Sequence, residues 1–495
     1  MIKNTFKSFL TYGIGSILQS SLSLILLPLY LRFFTPDDYG VISVLNVVIY
    51  LCSIFASAGV ANGMIRLYYE KDKAADWKRS LVGNTWLWFS AIGLLGGVFL
   101  QFQAPLISRL LFRTEAQSAS ISLLGLIFFF SMTRNVPFHV LRLEEKAGMY
   151  IFFSIFSFVV DFGLKIYFIS SLRRGVHGYL ESGAISNFLT LIFMLPFVVK
   201  YSKFSLNIKL MKQILRLGIP YIFSGLAVSI LDSSDRLLLA RLSGEAAVGI
   251  YSLAFQFSSV FTTLLVTPVG LLLEPFFFSY AARKAAGQTD YLLQRILIYT
   301  TISGGFVYLI IASGSGDILQ TMVKYIGVKS KYSEAMLLVP ITTLVPYLYF
   351  LTISGALAAL LIKKPEITSL AVTIAAVLNV SVNIYIIPRF GAMGASVTKV
   401  LCYLVMNIVL YWQIARCHPV QYDWKRMALS FSVLLLLIFI IVHIGLDEPL
   451  VSFMLRVLSS LFIWAVFVFL VKGILTDHER KTIFRYLTRA AKVNI

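Results

Sequence analysis

The stretch Arg32-Phe-Phe-Thr-Pro-Asp-Asp-Tyr-Gly40, followed by Val-Ile-Ser43, connects two long apolar runs near the start of the chain. Its counterpart, Arg241-Leu-Ser-Gly-Glu-Ala-Ala-Val-Gly249 followed by Ile-Tyr-Ser252, begins 209 residues later, and Lys7 and Arg216 coincide at the same offset. This shift carries the first apolar run onto the seventh. Because six is an even number, the sequence predicts two six-helix lobes of like orientation, related by an axis along the membrane normal.

Apolar runs extend from this stretch in both directions and fill nearly the whole chain. Of the 495 residues, 58% are hydrophobic and only 13% are charged, which is about half the charged fraction of a soluble domain. A hydrocarbon core of about 30 Å calls for runs of roughly 20 apolar residues. Such runs lie at about 9–34, 40–65, 81–103, 118–141, 149–171, 178–199, 214–240, 247–275, 292–312, 335–361, 366–388, 391–415, 427–445 and 450–471. We predict an all-α polytopic membrane protein with about 14 transmembrane helices.

The runs and the repeat together predict the organisation of the chain. Residues 1–200 form the first six-helix lobe, 201–216 a cytoplasmic basic connection, and 217–415 the second lobe. Residues 416–495 supply two additional helices and a cytoplasmic basic tail. The turn Pro388-Arg389-Phe390-Gly391 is too short for anything but an antiparallel hairpin between the runs on its two sides.

The distribution of basic residues predicts the orientation in the membrane. The formal net charge is +20, and the lysines and arginines sit in short loops between apolar runs, so no nucleic-acid partner is expected. With a cytoplasmic N-terminus, 28 of the 43 Lys and Arg residues fall on the cytoplasmic side and 10 on the other. We therefore predict a cytoplasmic-membrane protein with both termini inside, whose basic connection contacts anionic membrane lipids.

Motifs of common enzyme classes are missing from the sequence. There is no G-x-x-x-x-G-K-[ST] phosphate loop, no dinucleotide fingerprint and no H-E-x-x-H zinc motif. The three cysteines and five histidines have no metal-ligand spacing. We predict a carrier without a metal or cofactor, not an enzyme.

Ionisable residues inside apolar runs are the candidates for function, because they are costly in lipid and usually face a cavity. Asp161 and Lys165 are four apart on one helix, so they share a face and can pair. Asp232 and Asp235 also share a face, and Asp232 can pair with Arg236. Each group is a candidate for ion coupling or, equally well, for an internal salt bridge that holds the fold.

Other intramembrane charges are less clearly placed by the sequence. Arg134 and Lys399 are candidates for a substrate cavity, whereas Arg66 and Arg456 lie where a long side chain can reach the membrane surface. Glu274, next to a proline, marks a broken helix or a helix end.

Several segments in series resemble a known family. They are Leu27-Pro-Leu-Tyr-Leu-Arg-Phe-Phe-Thr-Pro-Asp-Asp-Tyr-Gly40, the Arg66 segment, Ser234-Asp-Arg-Leu-Leu-Leu-Ala-Arg241 with Val248-Gly-Ile-Tyr251, and Asn379 to Asn383 leading into Ile387-Pro-Arg-Phe-Gly-Ala-Met-Gly-Ala395. In this order and spacing they are similar to the polysaccharide biosynthesis membrane proteins. These are the O-antigen and capsule flippases of the multidrug/oligosaccharidyl-lipid/polysaccharide exporter superfamily.

The resemblance implies a two-lobed bundle around a cavity that opens alternately to each face of the membrane. It implies a substrate that is an isoprenoid pyrophosphate-linked oligosaccharide, H⁺ or Na⁺ as a coupling ion, and association with a polysaccharide polymerase machinery. A cationic cavity would lower the barrier for such a cargo, since unpaired charge is prohibitive in hydrocarbon. Arg66, Asp235 and Arg236 lie in the matching segments, where they serve either binding or structure.

Three alternatives remain open at this point. A cation-coupled multidrug exporter of the same superfamily would have a cavity dominated by acidic residues. A lipid II flippase would differ only in the sugar cargo. A membrane glycosyltransferase or polymerase would need a large external loop with catalytic carboxylates or arginines, and the longest predicted external connection, about 313–334, carries only Asp317 and Glu334.

Overall fold

A computed structural model describes residues 26–70, 74–283, 286–327, 330–418, 420–442 and 448–470. These residues form helices joined by short connections, and no strand occurs within the described ranges. The predicted all-α class is therefore confirmed. The start of the first predicted span, at 9–25, and the basic tail from Lys472 lie outside the described residues.

Ten helices make up the first part of the described chain. They are α1 (Leu27–Phe33), α2 (Pro36–Ser57), α3 (Val60–Tyr68), α4 (Ala75–Phe102), α5 (Ala104–Phe112), α6 (Ser118–Leu143), α7 (Ala147–Lys165), α8 (Gly175–Tyr201), α9 (Ile208–Gly218) and α10 (Pro220–Ser243). A π-helical turn, Ile166–Ser171, continues α7.

Seven helices follow in the remaining described residues. They are α11 (Glu245–Phe261), α12 (Thr267–Ala281), α13 (Ala286–Thr321), α14 (Ala335–Leu361), α15 (Glu366–Cys417), α16 (Trp424–Val442) and α17 (Pro449–Leu470). π-Helical turns at Thr262–Val266 and Met322–Ile326 extend α11 and α13, and a 3₁₀ turn occupies Ser330–Glu334.

Ten helical segments within the described ranges are long and apolar enough to cross a membrane. One of them, α15, contains two predicted spans, while α10 and α16 cover two further predicted runs at 214–240 and 427–445. Helix α10 is not among these ten segments, because its charged residues Asp232, Asp235 and Arg236 make it too polar. The chain is a multi-pass membrane protein.

Two predicted connections have more structure than the sequence suggested. Within the basic connection, Asn207 accepts a hydrogen bond from the Leu210 N–H and begins the amphipathic helix α9, which buries Leu210 and Ile214. The predicted external connection at 313–334 is wrong in its first part, because α13 and its π-helical turn continue to Ile326. Asp317 is thus a buried helical residue rather than a loop residue.

The Thr-Pro-Asp-Asp motif of the opening stretch starts α2. The Thr35 side chain accepts a hydrogen bond from the Asp38 N–H, and the Asp38 carboxylate accepts one from the Thr35 N–H at 2.8 Å. This reciprocal cap satisfies helix donors that would otherwise lack partners, and Pro36 takes the first-turn position that proline favours. The motif therefore has a local structural role.

The two copies of the repeated stretch pack against each other reciprocally. A Cβ atom added at Gly40 would overlap the carbonyl oxygen of Glu245, and one added at Gly249 would overlap that of Pro36. Pro36 and Glu245 are separated by the same 209 positions as Gly40 and Gly249. The 209-residue offset therefore exchanges the two contacts, as expected for two like-oriented copies related by a twofold axis. Glycine allows the helix backbones to approach this closely because it has no side chain.

The predicted hairpin is confirmed within α15. Gly391 has φ 52° and ψ −134°, a conformation open to glycine that interrupts the helix there. Asn383 on the first arm and Lys399 on the second both donate hydrogen bonds to the Asp235 carboxylate, at 2.7 Å and 2.6 Å, although 16 residues of straight helix would hold them about 24 Å apart. The two arms therefore fold back on each other.

The described residues divide into two compact units. The first consists of the described residues within Met1–Leu253, Gly327–Tyr332 and Val372–Cys402, and the second of those within Ala254–Ile326, Ser333–Ala371 and Tyr403–Ile495. The first unit contains α1 to α10, the start of α11 and the parts of both hairpin arms nearest Gly391. In the second unit, Arg456 on α17 and Asp317 on α13 form an ion pair at 3.4 Å, so Arg456 is anchored inside the unit rather than reaching for the surface. The lobe boundaries at 200 and 415 remain predictions.

We expect Gly40→Ala and Gly249→Ala each to destabilise the protein by about 1–3 kcal/mol, because the new methyl group would overlap a backbone carbonyl that cannot rotate away. The measurement is thermal unfolding of the purified protein in detergent. Gly270→Ala on α12 is the matched control, since a Cβ there meets nothing within 4 Å. Equal melting temperatures for all three variants would contradict the close contact.

Candidate functional site

A cavity of about 240 Å³ lies among α2, α6, α7 and α8 of the first compact unit. Its lining combines charged, hydroxyl and amide side chains with a few apolar ones. The lining residues are Asn46, Ile49, Ile127, Arg134, Ser157, Phe158, Asp161, Lys165, Tyr179, Leu180, Gly183, Ser186 and Asn187. Three of the predicted candidates, Arg134, Asp161 and Lys165, are thereby brought together.

Arg134 projects from α6 and is held at one end only. Its Nη1 donates a hydrogen bond of 2.6 Å to the Ser157 hydroxyl, and its guanidinium carbon lies 5.5 Å from the centre of the Phe138 ring. Its buried Nε has no hydrogen-bond partner among the described residues. A buried donor without a partner is costly, so an anionic ligand that reached this edge of the guanidinium would remove that cost.

The predicted Asp161–Lys165 pair is confirmed, at 2.5 Å between Lys165 Nζ and Asp161 Oδ2. The ammonium also lies 4.3 Å from the centre of the Tyr179 ring, and the Tyr179 hydroxyl accepts a hydrogen bond from Asn46. Lys165 is thus held by a carboxylate on its own helix and by the Tyr179 ring of α8, which Asn46 of α2 holds in turn. The other carboxylate oxygen, Asp161 Oδ1, is buried and finds no hydrogen-bond partner within the described ranges.

The cavity therefore carries two cations and one carboxylate, a net charge of +1. One guanidinium nitrogen and one carboxylate oxygen of its lining residues have no hydrogen-bond partner among the described residues. A ligand with both anionic oxygens and hydroxyl groups, such as a phosphorylated sugar, matches this combination, because the guanidinium edge suits a phosphate oxygen and a carboxylate oxygen accepts from a hydroxyl.

The helix changes geometry directly beyond Lys165. The α-helical pattern of α7 ends at this residue and continues as the π-helical turn Ile166–Ser171. Single π-helical turns inside long helices occur frequently at functional sites. The helix face that carries Asp161 and Lys165 therefore ends where the wider π-helical turn begins.

A second charged cluster is closed. Asp235 on α10 is fully buried; its Oδ2 accepts hydrogen bonds from Lys399 Nζ and the Tyr251 hydroxyl, both at 2.6 Å, and its Oδ1 accepts one from Asn383 at 2.7 Å. Lys399 Nζ also donates to the Asp232 carbonyl oxygen at 2.7 Å. A buried ion pair needs such hydrogen bonds to offset the loss of hydration. Substrate binding by Lys399 stays a prediction, but its side chain is only 3% exposed in this structure.

The remaining candidates lie apart from the cavity lining. Arg236 donates from Nε to the Ser252 hydroxyl and from Nη1 to the carbonyl oxygen of Asp232, one turn earlier on α10. Arg66 is exposed in the last turn of α3. Glu274 is exposed in the middle of α12, which continues through Pro275, so the prediction that it marks a broken helix or a helix end is wrong. Their roles remain predictions.

Sequence reasoning missed the neutral partners of these charges. Ser157 receives Arg134, and Asn383 and Tyr251 hold Asp235, but none was singled out for chemistry. Asn379 and Asn383, four apart in an apolar run, were an available signal, because amides in a membrane helix need partners on other helices. Asn379 accepts a hydrogen bond from Ser234 on α10.

Comparison with known proteins places this fold. The family model described as "Polysaccharide biosynthesis protein" matches residues 30–322, more than half of the chain. The chain belongs to the polysaccharide biosynthesis protein family. No curated protein has a significant sequence match to this family member.

Solved structures share the fold at low sequence identity. The lipid II flippase MurJ, in an inward closed conformation, is 15% identical with a TM-score of 0.74, over 94% of this chain and 99% of MurJ. A multidrug resistance MATE family transporter of the MOP superfamily, in an inward-facing conformation, is 16% identical with a TM-score of 0.66, over 83% and 96% of the two chains. Its outward-facing conformation gives a TM-score of 0.53. This family member thus has the fold of the MOP exporters.

We expect Lys399→Ala to destabilise the protein by about 3–5 kcal/mol, because it leaves the Asp235 carboxylate buried without its cation. The measurement is the amount of folded protein in the membrane and its melting temperature. The exposed Lys212→Ala on α9 is the control. Combining Lys399→Met with Asp235→Asn removes both charges and should recover part of the loss; a Lys399→Ala protein as stable as the control would contradict a structural pair.

Proposed function

We propose that the protein is a flippase that moves an isoprenoid pyrophosphate-linked oligosaccharide across the cytoplasmic membrane for surface polysaccharide synthesis. Family membership supports the process, and the fold shared with MurJ and MATE proteins supports translocation rather than catalysis. The observation that carries the proposal is the net-positive cavity, whose lining residue Arg134 has a guanidinium nitrogen without a hydrogen-bond partner among the described residues.

In this mechanism the cavity binds the charged part of the cargo. About 240 Å³ is less than the roughly 300–1,000 Å³ of pockets for drug-sized ligands, so it suits phosphate groups and the adjoining sugar, with the rest of the glycan outside it. Arg134 would contact a phosphate oxygen and Lys165 would add a point charge. The lipid tail stays in the bilayer, while the six-helix lobes at 1–200 and 217–415 alternate the access.

Asp161 is the carboxylate best placed for coupling to H⁺ or Na⁺. It lines the cavity with one unpartnered oxygen, whereas Asp235 is filled by its three donors. Binding of H⁺ or Na⁺ at Asp161 would raise the cavity charge from +1 to +2, which favours an anionic cargo. In this proposal both termini are cytoplasmic, and a polysaccharide polymerase machinery takes up the product on the outer face.

The alternatives differ in cargo and are separated by it. A lipid II flippase of this fold would move the peptidoglycan precursor, and a multidrug exporter would move small cations. A cation meets net repulsion from Arg134 and Lys165 in the cavity of the first unit, which makes the exporter the weaker alternative.

We expect depletion of the protein to trap the lipid-linked oligosaccharide on the cytoplasmic leaflet and to reduce surface polysaccharide. The measurement is the accessibility of the glycan in right-side-out vesicles to an impermeant oxidant. Lipid II distribution in the same vesicles is the control and should not change. An unchanged leaflet distribution with intact surface polysaccharide would refute the flippase; a shift in lipid II alone would identify the other cargo.

We expect Arg134→Ala to lower the flux by about tenfold or more at normal membrane abundance, because a charge-assisted hydrogen bond contributes about 1.5–3 kcal/mol. Arg134→Lys should be intermediate, since a lysine keeps the charge and loses the planar fork. Arg109→Ala on α5 removes an exposed arginine outside the cavity and serves as the control. Wild-type flux in Arg134→Ala would make Arg134 a structural residue.

A further inference from the structure

The second compact unit contains a larger cavity of a different kind. It measures about 400 Å³ and lies between α13, α14, the second arm of α15 and the start of α16. Leu348, Leu351, Leu404, Met427 and Phe431 are among its lining residues. No charged side chain is among its lining residues, in contrast to the cavity of the first unit.

Polar side chains at this cavity direct hydrogen bonds to the backbone. The Tyr411 hydroxyl donates to the carbonyl oxygen of Leu351 at 2.6 Å, and Asn407 Nδ2 donates to that of Leu348 at 3.1 Å. The surface offered to an occupant is therefore mainly hydrocarbon. Apolar cavities exclude water, and an unfilled one loses dispersion contacts along its whole lining. Hydrocarbon is the filler that a bilayer supplies.

The cavity begins at the end of α16 that the sequence predicts to lie at the membrane surface, and two of its lining residues are exposed. Trp424 is the first residue of α16, and Met427 and Phe431 follow one and two turns further into the membrane. Ile408, also in the lining, is 66% exposed, and Trp424 is 49% exposed. A chain lying in the bilayer can enter beside these two side chains, at the depth where tryptophan normally marks the interface.

Basic residues gather at this mouth of the cavity. Arg416 stacks over the Trp412 ring at 3.6 Å, and Lys364 Nζ lies 3.6 Å from Cys417 Sγ, which brings the end of α14 beside the end of α15. Lys425 follows Trp424 and is exposed. The segments 363–366 and 416–426 hold five cations against two carboxylates, and one of those, Asp423, pairs with Arg426 at 2.6 Å.

We propose that this is a binding site for an anionic phospholipid, with one acyl chain in the cavity and the phosphate at Arg416, Lys425 and Lys364. Each half of the site matches one half of that molecule: an apolar wall for the chain and a net positive rim for the headgroup. Basic pockets between membrane helices on the cytoplasmic side bind anionic lipid headgroups, and the sequence predicts these residues on that side. The site is independent of the proposed flippase activity, because it uses none of the first unit's cavity residues.

The test uses the full-length protein and phosphatidylglycerol, with phosphatidylcholine as the uncharged comparison. Detergent-purified protein is titrated with each lipid, and bound lipid is counted by native mass spectrometry. We expect one phosphatidylglycerol to bind at least tenfold more tightly than phosphatidylcholine. The double variant Arg416→Ala with Lys425→Ala should abolish this preference, since each basic residue near the headgroup contributes about 1 kcal/mol. Arg109→Ala with Arg113→Ala, at two exposed residues in and directly after α5, is the matched charge control.

A second variant tests the cavity itself. Ala428→Phe adds a ring at a lining position, so it should lower the binding of both lipids at least tenfold. Leu436→Phe, at a residue of the same helix that is 58% exposed, is the control and should bind as the wild type does. Melting temperatures verify that each variant is folded; if Ala428→Phe unfolds the protein, the surface charge variant decides the proposal by itself.

Three results would overturn the proposal. The first is equal binding of the two lipids by the wild-type protein. The second is an unchanged phosphatidylglycerol preference in the Arg416 and Lys425 variant. The third is displacement of bound phosphatidylglycerol by an equimolar polyisoprenyl phosphate, which would assign the site to the cargo's tail instead. A defect in flux with normal lipid binding leaves this site intact and bears only on the proposed function.

Discussion

The reciprocal contact of Gly40 with Glu245 and of Gly249 with Pro36 is the constraint on which the duplicated fold depends. Each glycine lies against a backbone carbonyl of the other copy, so replacing either glycine by a larger residue would push the two helices apart. The Thr35 cap fixes where α2 begins and therefore places Gly40 one turn into the helix. Since lipid gives helices no hydrophobic reason to associate, close backbone approach at small residues is what holds them together.

Charge is distributed differently over the rest of the described chain. Asp235 is surrounded by donors from three segments and joins them into one solid cluster. Asp161 and Arg134 instead line a cavity, and each has one atom without a hydrogen-bond partner among the described residues. In the low dielectric of the protein interior, the satisfied hydrogen bonds of the Asp235 cluster are strong, whereas the unpartnered atoms of Asp161 and Arg134 cost free energy until a ligand binds them. The same physics thus separates groups that hold the fold from groups available to a ligand.

The sequence predicted features that depend on neighbouring residues, and it missed those that depend on distant ones. Asp161 and Lys165 are four apart, so helical geometry alone brings them together, and the turn at Gly391 likewise predicts its own hairpin. Asp235 and Lys399 are 164 residues apart and Asp317 and Arg456 are 139 apart, so only tertiary packing pairs them. For the same reason the sequence could not tell that Arg134 lines the cavity of the first unit while Lys399 is buried against Asp235.

The Asp235 cluster also has a consequence for synthesis. Helix α10 leaves the ribosome with its carboxylate, but the ammonium that neutralises it arrives 164 residues later. An unpaired carboxylate is costly at the centre of a bilayer. Until Lys399 on the second hairpin arm has been synthesised, Asp235 on α10 must therefore contact water or other hydrogen-bond donors of the protein. Insertion of the first unit is therefore finished only when the chain has passed Gly391, and a nascent chain cut before Lys399 holds a helix that lipid does not accept.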